Sequence, residues 1–115
     1  MSVKLTTREV GNVTILDIEG KLTLGEGSGA FRDKIRELLT SGKKKILLNF
    51  EQTTWTDSSG MGELISSFVS VTNSGGQLKT LAYQKQIEDL LTITKLYTVF
   101  ETFNDEKAAV ESFAD

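Results

Sequence analysis

The sequence predicts an α/β domain with a mixed, mostly parallel sheet of four to five strands, an opening β-hairpin and about four helices. Three observations predict it. Two β-type stretches at the start meet at Gly11-Asn12, a dipeptide suited to a tight turn. The run Lys45-Ile46-Leu47-Leu48-Asn49-Phe50 is almost continuously apolar, as a strand covered on both faces requires. Beyond it, short β-type segments alternate with segments of helical period. At 115 residues the chain is read as a single domain, 1–115.

The hairpin comprises strands over 3–10 and 13–19, the second burying one face through Val13, Ile15, Leu16 and Ile18. A short strand at Leu22-Thr23-Leu24 follows. The spacing of Phe31, Ile35, Leu38 and Leu39 predicts a helix over 28–40, stopped by Gly42. After the apolar strand, a second helix is predicted over 58–74 and broken by Gly75-Gly76. A strand over 77–81, a helix over 84–94 through Ile87, Leu90 and Leu91, and a strand over 99–103 complete the alternation. Asn104 caps a last helix that runs through Ala108, Val110 and Phe113.

Absent residue types narrow the function. There is no cysteine and no histidine, so thiolate chemistry, histidine metal sites and Ser-His-Asp arrangements are excluded. No enzyme activity, metal or cofactor is expected. The formal charge is −3 and the densest basic run is Lys43-Lys44-Lys45, read as solvated residues between a helix and a strand rather than a nucleic-acid surface. No apolar run approaches the length of a membrane helix and the first ten residues lack a signal-peptide core, so a cytoplasmic monomer without membrane insertion is expected.

Gly25-Glu26-Gly27-Ser28-Gly29-Ala30 fits a dinucleotide-binding fingerprint, and Glu51 ends the next strand near the spacing of a ribose contact. The strand before it is very short and the chain is too small for two nucleotide-binding halves. A flexible loop entering a helix is the preferred reading, with a nucleotide-binding protein kept as a rival.

The stronger constellation is Thr56-Asp57-Ser58-Ser59-Gly60-Met61-Gly62-Glu63-Leu64, which follows the central strand and opens the second helix. Taken alone, Asp57 or Ser58 is an ordinary N-cap. The helix behind adds weight. At about 100° per residue, Met61, Leu64, Ile65, Phe68 and Thr72 are expected to face the sheet, leaving Ser59, Gly62, Glu63, Ser66 and Ser70 opposite. Glu63 is the only charged residue between Ser58 and Ser74, whereas the first helix carries five charges in six positions. A small, nearly neutral face is what an interface core looks like, and a helix buried on both sides is the alternative. A phosphate on Ser58 adds about −1.5 to −2 charges. A helix N-terminus tolerates that anion, whereas a dry interface does not. One modification then abolishes docking without unfolding the domain.

These residues closely resemble the bacterial anti-sigma factor antagonists, which have the STAS fold. The resemblance spans about residues 3–113 and rests on the hairpin with Gly20-Lys21-Leu22, the strand 46–50, the signature Asp57-Ser58-Ser59-Gly60-Met61-Gly62, Gly75-Gly76, and Phe103 before an acidic-start helix. It implies a partner switch. Ser58 is the residue that accepts a phosphate from an anti-sigma factor serine kinase, and the unphosphorylated form binds that kinase and frees a sigma factor. A serine phosphatase resets the system. Asp57, Ser59, Gly60 and Met61 match the family's contact motif, with Gly62, Glu63, Ser66 and Thr23 as further partner-binding candidates. Two departures bear on partner choice: Thr23 stands where relatives often carry Asp, and the glycine-rich loop after it is about one residue longer. A STAS scaffold or transporter-accessory domain that acts without phosphorylation is the rival within the same fold.

Overall fold

The computed structural model describes residues 3–22, 26–56, 58–81 and 101–113, together with 89, 92, 93 and 95. The chain opens with the antiparallel pair β1 (Val3–Val10) and β2 (Val13–Leu22). Val10 pairs with Val13 across the turn, and Gly11 takes φ 63°, the left-handed conformation that a two-residue hairpin loop demands. β2 runs on through Leu22, so the separately expected strand at 22–24 begins as its continuation. Thr23 and Leu24 lie outside the described residues.

Helix α1 (Glu26–Thr40) starts two residues earlier than expected and buries Phe31, Ile35 and Leu38. It stops at Gly42, where φ is 84° and the Gly42 and Lys43 amides donate back to the Leu39 and Leu38 carbonyls. β3 (Lys45–Asn49), β4 (Thr53–Thr56), α2 (Ser58–Asn73) and β5 (Gln77–Leu81) follow. β6 (Thr102–Phe103) and α3 (Glu106–Glu111) close the chain. The cap of α3 is Asp105, one residue beyond the expected Asn104, and its carboxylate accepts from the Ala108 amide at 2.9 Å. The helix expected over 84–94 falls largely outside the described residues, so three helices are described against about four expected.

Among the described residues the sheet has six strands, against the four to five expected, in the order β1-β2-β3-β5-β6, with β4 against the far end of β2. Every pairing except β1–β2 is parallel. β3 lies beside Thr14–Asp17 of β2, and β4 continues in line beside Gly20–Leu22. Thr53-Thr54-Trp55-Thr56 carries no apolar alternation, which is why its sequence does not announce a strand. Buried threonine hydroxyls stitch it in place instead. Thr53 Oγ1 donates to the Ile18 carbonyl at 2.7 Å and Thr56 Oγ1 to the Leu22 carbonyl at 2.8 Å.

β2 was expected to bury one face, but Val13, Thr14, Ile15, Leu16 and Ile18 are all buried. The reason is that both faces of the sheet are covered. Leu16, Ile18, Leu22, Ile46, Leu48, Phe50 and Leu78 pack beneath α1 and α2. Val13, Ile15, Leu47 and Leu81 pack with Ala109 of α3 and Phe113 on the other side.

Polar clamps hold α3 on its layer. The Arg8 guanidinium bridges Asp17 (2.7 and 3.1 Å) and Glu106 (3.0 and 2.7 Å), and Asn49 Nδ2 donates to Asp17 at 2.8 Å. Burial alone would push the Asp17 carboxyl up, but the hydrogen bonds from Arg8 and Asn49 outweigh it and hold its pKa below the ordinary value. The Arg8 hydrogen bond likewise lowers that of Glu106, and the two carboxylates raise that of Arg8. At the other end of α3, the buried Lys79 ammonium donates to the Ser112 carbonyl (2.8 Å) and hydroxyl (3.0 Å) and sits 4.9 Å from the centre of the Phe113 ring.

Candidate functional site

Helix α2 starts directly beyond the carboxyl end of β4, with position 57 between them. Gly60 determines how it is seated. A Cβ at that position would collide with the Thr56 hydroxyl and the Leu22 carbonyl, so only glycine lets the first turn press against the ends of β2 and β4. The contact also brings the start of α2 against Leu22, the residue that precedes Thr23 in the chain.

The helix then buries a different stripe from the one expected. Gly60, Met61, Leu64, Ser67 and Val71 face the sheet, while Ile65 and Val69 are 41% and 49% exposed and Thr72 is exposed. The apolar residues alone put the buried side near Met61, Ile65 and Thr72. The real one is turned by roughly 70° at the α-helical pitch. Small residues cause the rotation. Gly60 and Ser67 allow closer approach than Ile65 and Thr72 would, and the buried Ser67 hydroxyl is satisfied by the Leu64 carbonyl at 2.8 Å. Burial on both sides of α2, the alternative left open by the sequence, is not what occurs. Gly62, Ile65, Ser66, Val69 and Ser70 all lie open along its outer surface.

The predicted site residues therefore separate by role. Thr23 and Asp57 lie outside the described residues, and Ser58 and Ser59 are the first two residues of α2. Gly60 and Met61, expected as contact residues, are buried, so they seat the helix rather than offer surface. Gly62 and Ser66 are exposed, and the half-buried Glu63 accepts from Arg32 Nη1 of α1 at 3.1 Å. That ion pair joins positions 31 residues apart, so no local pattern announces it. The residues of the fingerprint 25–30 from Glu26 onward are helix, with Gly27 buried. They do not form the loop that a pyrophosphate requires.

The family model of the STAS domain matches residues 4–109. The chain belongs to the STAS domain family. Solved structures share the architecture of this STAS domain at low sequence identity. An anti-sigma factor antagonist from Mycobacterium paratuberculosis is 12% identical with a TM-score of 0.86, over 99% of this chain and 96% of that one. The phosphorylated form of the Bacillus cell fate determinant SpoIIAA is 19% identical with a TM-score of 0.72, over 94% and 97%. The murine anion transporter Slc26a9 is 17% identical with a TM-score of 0.73, over 90% of this chain but 18% of that one. Among the described residues of the STAS domain, no helix is long and apolar enough to cross a membrane.

Proposed function

We propose that this STAS domain is an anti-sigma factor antagonist, a binding module without catalytic activity that works as a monomer in the cytoplasm. The observation that carries the reading is the outer face of α2. Directly behind the Asp57-Ser58-Ser59-Gly60 signature, that face exposes Gly62, Ile65, Ser66, Val69 and Ser70 without one charged residue. Solvated helix surface collects Lys and Glu, whereas interface cores are depleted of them. Unphosphorylated, the face docks on an anti-sigma factor serine kinase, with Asp57, Ser59 and Thr23 contributing at its head, and a sigma factor is released. Phosphate on Ser58, at the N-terminus of α2, sits well with the helix dipole and badly with a dry partner. The kinase then lets go, and a serine phosphatase restores the cycle.

Calorimetric titration with the serine kinase encoded beside this chain tests the mechanism. Ser58→Ala binds constitutively in the presence of ATP, and Ser58→Asp binds at least about tenfold more weakly. Equal affinities for the two variants would refute the switch.

A second reading is favoured by the match to part of Slc26a9: an accessory domain in permanent association with a larger protein. It predicts a constitutive complex and no phosphate on Ser58 in cells, which mass spectrometry of the purified protein decides.

A further inference from the structure

Between α1 and α2 the surface folds into a groove of about 230 Å³, lined by Arg32, Ile35, Arg36, Glu63, Ser66 and Ser70. Its α2 wall, Ser66 and Ser70, lies about 100° round the helix from Ile65 and Val69, and all four are exposed on the outer side of α2. Its charge is unbalanced. Two guanidiniums face one carboxylate, and that carboxylate is taken by Arg32. Arg36 is exposed and has no carboxylate partner among the described residues, although the chain as a whole carries a charge of −3. A cation left over in a groove beside an uncharged, partly apolar stripe has a chemical complement: an acidic side chain projecting from an apolar surface. Guanidinium suits that task because its planar fork takes a carboxylate through two parallel bonds.

We infer that the α1–α2 groove seats an aspartate or glutamate of the docking partner, held by Arg36 with the Ser66 hydroxyl beside it, while apolar residues of the same partner surface cover Ile65 and Val69. The inference rests on the docking role of α2 and adds to it the chemistry of the partner. The contact selects for partners with a carboxylate at one position. It also lies on the flank of α2, so it contributes to recognition independently of the phosphorylation state at the helix start.

The test is calorimetric titration of the full chain with the neighbouring serine kinase, using Arg36→Glu, Arg36→Lys and Val69→Asp, each checked for an unchanged thermal unfolding midpoint. Arg36→Glu weakens binding roughly tenfold at low ionic strength, while Arg36→Lys, which keeps the charge but loses the planar fork, falls between wild type and Arg36→Glu. The difference between wild type and Arg36→Glu shrinks as salt screens the pair. Val69→Asp abolishes binding. If Arg36→Glu binds like wild type while Val69→Asp does not, the acidic anchor is wrong and the docking face stands. If both bind like wild type, the docking face itself is wrong and the inference goes with it.

Discussion

Gly60 and Gly62 stand two residues apart in one helix under opposite constraints. At Gly60 the neighbours are a carbonyl and a buried hydroxyl that ends a strand, and neither can retreat without breaking the Thr56–Leu22 hydrogen bond. At Gly62 a Cβ would meet nothing within 4 Å. Gly60→Ala therefore forces α2 off the sheet and destabilises the domain by about 2–3 kcal/mol, the usual cost of overpacking. Gly62→Ala gains helix propensity and stabilises it by roughly 0.5–1 kcal/mol. Urea denaturation of the two variants measures both signs. The motif presents the two glycines alike, and only the packing tells them apart. If Gly62 belongs to the docking surface, the stabilised Gly62→Ala variant still binds its kinase more weakly, because a methyl group stands where flat surface is needed. Stability and affinity then move in opposite directions at one residue.

At the scale of elements, α3 is too short to hold itself and depends on what grips it. A helix of six residues is far below the length at which isolated helices persist, so its stability comes from Ala109, Phe113 and the clamps at its two ends. The Arg8 clamp is acid-sensitive, and the sign follows from the depressed pKa values of Asp17 and Glu106. A carboxylate whose folded pKa lies below its unfolded value contributes stability that is complete above the unfolded value and lost as pH falls through the folded one. The thermal midpoint is therefore level from about pH 7 to pH 5 and declines below about pH 4, where unfolded carboxylates begin to hold protons. Arg8→Gln removes the partner of both groups. It lowers the midpoint near neutrality and flattens the acid slope, whereas Lys43→Gln, which loses only the 3.6 Å exposed pair with Glu9, leaves the profile unchanged. A parallel acid decline in the wild type and Arg8→Gln would show that the clamp is not the source.

Across the whole molecule, the sequence was most legible where one rule dominated. The Gly11-Asn12 hairpin, the strand at 77–81 and the stop of α1 at Gly42 stand where local chemistry puts them. β4 was not legible because its stability comes from threonine hydroxyls on neighbouring carbonyls, a tertiary effect. The rotation of α2 was not legible because hydrophobic periodicity weighs large side chains and ignores how closely small ones allow a helix to approach. The candidate site was legible as a motif and as an uncharged face, but its Arg32–Glu63 flank needed the fold. The same layering makes a sharper prediction. Leu47 and Leu48 are adjacent in β3 and fully buried on opposite faces, Leu47 in the α3 layer and Leu48 beneath α1 and α2. Each substitution to alanine removes a filled volume that the sheet cannot collapse around, so each costs about 2–5 kcal/mol. Binding distinguishes them. Leu48→Ala loosens the support of α2 and weakens kinase binding even in the folded fraction. Leu47→Ala leaves the α2 surface supported, so its folded fraction binds like wild type. Hydrogen exchange and calorimetry on the two variants decide the matter: equal loss of affinity in both would mean that the two layers move as one body and that the docking surface draws on the whole sheet.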